Sequence, residues 1–186
     1  MSKRKLIFLD IDGVLNNLAH AVIYKAKSYD AATIDEVAFG LLKWTCEVTG
    51  AEIVISSTWR TMGVDWLCGV FEAKGWRNPP IIGKTPRSGG VPRGDEIKYW
   101  LDGRTYHKGN CQYVIIDDDN DMLDEQKDNF VHTDPNLGFT VYDAIRVIDI
   151  LGCKEEYAKN INDLRKHTDY QLNKRYRESS KFSVDE

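Results

Sequence analysis

Nowhere in its 186 residues does this chain place two cysteines close together. Cys46, Cys68, Cys111 and Cys153 stand singly, so there is no zinc signature and no disulfide framework, and they read as core thiols. Long apolar runs are missing too. Leu6–Leu9, Ile53–Ile55 and Val114–Ile116 fall far short of the roughly 20 residues a helix needs to span a bilayer, so no membrane partner is expected. The amino-terminal stretch starts basic, but Asp10 and Asp12 interrupt its apolar part and no small-residue cleavage site follows. No signal peptide is therefore expected, and the expected location is cytoplasmic. An excess of basic charge is also absent. The formal net charge of −4 argues against a globally basic nucleic-acid binder and leaves only a local basic face. No internal repeat or low-complexity segment is present.

What is there has the composition of a globular protein, with 42% hydrophobic and 29% charged residues, and enough chain for one substantial core. Lys5–Asp10 reads as a buried strand ending in acid, ahead of Gly13. Residues 16–32 are polar and irregular. Thr33 then begins a helical pattern, with Thr33 and Glu36 at capping-box spacing, and Gly50 closes it. Glu52–Ser56 is a second short strand. A helix follows over Val64–Lys74, with Gly75 as its stop. Residues 78–92 are rich in proline and glycine around Ile81–Ile82, and another helix runs from about Asp95 to Leu101. Gln112–Ile116 and Phe130–His132 read as strands and Tyr142–Leu151 as a helix. Such alternation predicts an α/β domain over residues 1–153 with a mainly parallel sheet flanked by helices. Residues 154–186 contain no proline or glycine, are highly charged, and predict a helical tail with a basic stretch over Lys159–Lys181.

In a parallel sheet, chemistry gathers at the carboxyl ends of the strands. Asp10 and Asp12, Ser56 and Ser57, and Asp117 and Asp118 all fall directly after apolar strands. Asp10 and Asp12 are two apart, so both can project to one side. One carboxylate there can attack phosphorus while the other gives a proton to the leaving oxygen and later takes one from water. A phosphate dianion repels a carboxylate, so a hard cation is needed between them. Magnesium suits, with Asp10, Asp12, Asp117 and Asp118 as candidate ligands. Ser56 offers a hydroxyl to phosphate. Arg93, just ahead of a helix, offers a fixed charge for the transition state, with Lys84 as the other candidate. Ser57, Arg60 and Lys84 are candidate substrate contacts. Taken singly, each signal is also an ordinary turn, cap or surface residue. Their joint occurrence, in order, at successive element boundaries is what those readings leave unexplained.

The ordered motifs FLDIDGVL (8–15), IVISSTWR (53–60), the Lys84 or Arg93 segment and VIIDDDND (114–121) resemble the haloacid dehalogenase (HAD) superfamily of phosphohydrolases. With IGKTP (82–86) and RGDEIKYWL (93–101), the pattern is similar to the phosphatase domains of Swiss-army-knife RNA-repair proteins and of phage polynucleotide kinase-phosphatases. The resemblance implies a Rossmann-like fold with a minimal cap. It makes Asp10 the nucleophile and Asp12 the general acid/base, its backbone carbonyl also near the metal. Ser56 would bind phosphate, and Asp117 with Asp118 would complete a magnesium site. Arg93 is favoured for the third motif because it precedes the helix leading into Val114–Ile116.

The function expected is magnesium-dependent phosphomonoester hydrolysis on a nucleic-acid 3′ end or a nucleotide. An open, minimally capped site suits such a bulky substrate, and the basic tail offers a further contact to nucleic acid. A small-molecule phosphatase, or a non-catalytic adaptor that kept the fold, are the competing expectations. Trp59 and Trp76 have the types to stack a base, but buried aromatic core is the reading preferred for them.

Overall fold

A computed structural model of the chain describes residues 3–18, 20, 22, 31–87, 89–103 and 110–162. Five strands form one sheet: β1 (Arg4–Leu9), β2 (Glu52–Ile55), β3 (Ile81–Lys84), β4 (Cys111–Asp117) and β5 (Phe130–His132). Their order is β3-β2-β1-β4-β5, and every pairing is parallel. The α/β reading therefore holds, with β1 at the centre. Leu6, Ile7, Phe8 and Leu9 are fully buried, as expected for a strand covered on both faces.

Alternation along β1 divides the core. Ile7 and Leu9 face a large cluster built with α1 (Glu36–Thr49), α2 (Val64–Ala73) and α4 (Val141–Ile150). Leu6 and Phe8 face a smaller one under α3 (Arg93–Asp102), where Trp100 meets Phe8 edge to face at 5.4 Å. Trp76 lies in the large cluster, stacked on Phe71, so the core reading of this residue is the one realised.

Several expectations shift at element boundaries. Asp35, not Thr33, caps α1, accepting from the backbone N–H groups of Val37 at 2.8 Å and Ala38 at 2.9 Å. Thr33 instead ends a short 3-10 turn, Ala31–Thr33, so the capping-box spacing pointed two residues too early. Gly50 does close the helix, in the left-handed region at φ 66°. Ile81–Lys84 is a full strand where only a small apolar piece was expected, and α3 starts at Arg93 rather than Asp95. Leu18, His20 and Val22 are helical, unlike the irregular segment expected, while most of 19–30 lies outside the described residues. Residues 154–162 are helical and pack through Tyr157 against Trp44. The rest of the tail, and with it most of the basic stretch, lies outside the described residues. Among the described residues no helix is long and apolar enough to cross a membrane.

The cap assignment has a direct consequence. Asp35→Ala should destabilise the protein by about 1 kcal/mol in equilibrium denaturation, because two backbone N–H groups lose their acceptor, while Asp35→Asn should stay within a few tenths of that value of the parent.

Candidate active site

The sheet order reverses between β1 and β4, the place where open α/β sheets carry their ligands. Asp10 follows β1 there, tied by its own N–H to the Ile116 carbonyl at 2.9 Å. Asp117 ends β4 and Asp118 comes next. One carboxylate oxygen from each of Asp10, Asp117 and Asp118 lies within 4.8 Å of the others, so the three can hold a metal ion. Gly13 makes that approach possible. A Cβ there would sit 2.3 Å from Asp118 Cγ, and its φ of +72° is left-handed as well.

Asp10 and Asp117 are almost fully buried. Burial pushes the Asp10 carboxyl well above its ordinary 3.8, with Arg93 working against the rise. Burial, then the charge of Asp10, pushes Asp117 up in the same way. Asp118 is raised too, by burial and by Asp119. Asp117 Oδ2 is buried and, among the described residues, accepts no hydrogen bond, with Arg93 Nη1 3.6 Å away. A hard divalent cation bound by carboxylate oxygens fits this donor set and would give that oxygen its missing partner.

Arg93 is the cation set against these acids. Its Nη1 donates to Asp10 Oδ1 at 2.9 Å and to the Ser56 carbonyl, and lies 3.6 Å from Asp117 Oδ2. Burial opposes its charge, but Asp117 and Asp10 outweigh that and hold Arg93 above its ordinary value. The loop after β4 fixes where α3 begins. Asp121 Oδ2 accepts the Arg93 N–H at 2.8 Å, and the Gln126 side chain donates to the Gly94 carbonyl at 2.8 Å. Gly94 has to be small, since a Cβ would meet Gln126 Oε1 and the Leu123 nitrogen at 2.6 Å. The sequence reading missed Asp121, Gln126 and Gly94, whose partners lie some thirty residues away.

The other candidates divide. The Ser56 hydroxyl is fully buried directly after β2 and, among the described residues, makes no hydrogen bond, so it is available to an anion. Lys84 is exposed and donates to the Arg60 carbonyl at 2.9 Å, so it takes no part in the acid cluster. Ser57 is buried and caps the 3-10 turn Thr58–Met62 by accepting from the Trp59 N–H. Arg60 points inward: its guanidinium pairs with Glu96 at 2.6 Å and touches the Ser56 carbonyl. Of the expected substrate contacts, the structure thus places Ser57 at the cap of this turn and Arg60 beside Glu96. Asp12 is exposed and its carboxylate lies outside the metal-holding group. It receives hydrogen bonds from Asn16 and from the indole of Trp59.

The family model described as the HAD domain in Swiss Army Knife RNA repair proteins matches residues 6–144, well over half of the chain. No curated protein matches it significantly.

The raised carboxyls give a signed expectation. The folded site holds protons that the unfolded chain has released, so stability of the metal-free protein falls as pH rises above the ordinary 3.8. A cation bound by these carboxylates would take the place of those protons. Magnesium at about 100 times its dissociation constant should add about 2.7 kcal/mol, with a larger rise in melting temperature at about pH 8 than at about pH 5. Asp117→Asn should abolish most of that rise and leave the metal-free protein more stable than the parent at the higher pH.

Proposed function

Because the chain belongs to the family of HAD domains of Swiss Army Knife RNA repair proteins, in a superfamily whose members are typically phosphohydrolases, we propose that it is a magnesium-dependent phosphomonoesterase. Its substrate in this reading is a phosphorylated nucleic-acid end, in the first place a 3′ end, or a nucleotide. The observation that carries the reading is the Arg93 guanidinium, 2.9 Å from Asp10 Oδ1 among three carboxylates at the ends of neighbouring parallel strands. A purely structural role does not explain such a cluster, since a buried set of like charges with one counter-ion weakens the fold.

Asp10 attacks the phosphorus atom of the monoester, and the ester oxygen leaves with a proton delivered by the Asp12 carboxyl. The product of this half is an aspartyl phosphate on Asp10 and a free alcohol. Asp12, now ionised, takes a proton from a water that attacks the phosphorus, which returns Asp10 and releases inorganic phosphate. Arg93 and the Ser56 hydroxyl hold the phosphoryl oxygens throughout. Asp10, Asp117 and Asp118 would hold the magnesium ion, which would supply positive charge to offset repulsion between the dianion and the nucleophile.

Arg93 rather than Lys84 fills the third-motif position in this reading. Arg93→Ala should therefore lower phosphate release by about 10²–10³-fold, and Lys84→Ala should leave it within about twofold. The decisive assay compares a 3′-phosphorylated oligonucleotide with nucleoside monophosphates and sugar phosphates, with magnesium or EDTA, beside Asp10→Asn. Magnesium-dependent release that disappears in the variant supports the reading, and the preferred substrate sets its scope. No release from a folded, magnesium-binding protein would turn it toward the adaptor function.

A further inference from the structure

Asp12 is exposed, yet its carboxylate is held in one orientation. Trp59 Nε1 lies 3.0 Å from both Oδ1 and Oδ2, and Asn16 Nδ2 donates to Oδ1 at 2.8 Å. Trp59 itself is fully buried, at 0% exposure. It sits in the 3-10 turn Thr58–Met62, its backbone N–H on the Ser57 hydroxyl and its ring against Trp66 at 5.9 Å. A buried indole needs an acceptor for its N–H, and a backbone carbonyl would serve for stability alone. Here the acceptor is an exposed side chain 47 residues away, in the loop that follows the nucleophile.

We propose that Trp59 is a positioning residue that holds the Asp12 carboxyl in the orientation for proton transfer at the scissile oxygen. This rests on the phosphatase reading and deepens it. An indole N–H donates and cannot accept, so it fixes the carboxyl without competing for its proton. Reaching both oxygens restrains the plane of the carboxylate as well as its position. Asn16 holds Oδ1 and not Oδ2, so Oδ2 is the oxygen that passes the proton. Asn16 completes the brace, its Oδ1 accepting the Gly13 N–H at 3.0 Å while its amide holds Asp12. The core thus reaches the surface at one point, and a misplacement of about 1 Å there costs about 10²-fold in rate.

The test separates positioning from packing. Trp59→Phe removes the donor. Trp59→His loses more of the ring but keeps an N–H at the place of the indole nitrogen, and Trp66→Phe disturbs packing with the donor intact. Turnover of a nucleoside monophosphate, whose alkoxide needs a proton, is compared with the first-turnover release of 4-nitrophenolate from 4-nitrophenyl phosphate, which needs none. Measurements are made at about pH 8, where imidazole is neutral. Trp59→Phe should lose about 10–100-fold in kcat on the nucleotide at little-changed KM, and stay within about twofold on the nitrophenyl burst. Trp59→His should be more active on the nucleotide than Trp59→Phe despite lower thermal stability, and Trp66→Phe should match the parent. Equal losses on both substrates, or activities that follow stability, would overturn the positioning role. A parent protein that releases nothing from either substrate would instead overturn the phosphatase reading beneath it. Should Trp59→Phe fail to fold, the order of Trp59→His against Trp66→Phe across the two substrates decides: a defect of Trp59→His on the nitrophenyl burst as large as on the nucleotide would sink the proposal.

Discussion

Three carboxyl groups with oxygens within 4.8 Å of one another at the ends of buried strands repel each other, and the architecture follows from holding them there. At about 4 Å a pair of like charges opposes itself by about 4 kcal/mol even at an effective dielectric constant of 20. Asp10 and Asp117 cannot swing away, because β1 and β4 are neighbours in register and Asp10 is tied to Ile116. Asp118 reaches the same point over a glycine that leaves room for it. Burial and mutual repulsion raise the carboxyls' affinity for protons, and the same forces raise their affinity for a cation. A site that can hold a metal and a fold weakened by its own charge are two consequences of one geometry.

The first turn of α3 does most of the compensating. Arg93, its first residue, faces the acids, and Glu96, three residues on, pairs with Arg60 from the loop after β2. Both arginines also donate to the Ser56 carbonyl, so two positive groups crowd one peptide. Glu96 neutralises one and the acid cluster neutralises the other. Sliding α3 by one residue would uncouple both pairs at once. The loop after β4 prevents this: it holds the Arg93 N–H through Asp121 and the Gly94 carbonyl through Gln126. The strand that carries two of the clustered acids is therefore followed by the loop that sets the register of the helix supplying their counter-charge.

Much of this was legible in the sequence, and the rest was illegible for identifiable reasons. β1, β2, β4 and β5 announced themselves as short apolar runs, and the acids after β1 and β4 and the serines after β2 followed directly from those runs. β3 did not, because Ile81–Lys84 is only partly buried and sits among prolines and glycines that read as loop. The cap of α1 was misplaced because Thr33 and Asp35 offer overlapping signals, and only the backbone path chooses between them. Arg93 and Lys84 both fit the third motif by position. Their difference depends on the docking of the β4 loop, a contact between segments some thirty residues apart that no local pattern encodes. Arg60 had the type of a phosphate ligand, but its partner Glu96 lies 36 residues away and claims it for the interior.

The contrast between Asp10 and Asp12 shows why two acids on one loop suit different tasks. Asp10 is buried, in contact with a guanidinium and crowded by two other carboxyls, so its charge is already stripped of water and aimed by fixed neighbours. That environment suits a nucleophile, whose attack would otherwise require removal of its hydration shell. Asp12 is exposed and, among the described residues, is held by two uncharged donors, an indole and an amide. That environment suits the proposed exchange of protons with substrate and water, because the exposed carboxyl has water within reach. This difference of environment carries the proposed division of roles, nucleophile inside and proton carrier outside. In this chain it arises from two residues of backbone: the strand ends at Leu9, Asp10 is still inside, and Asp12 is already out.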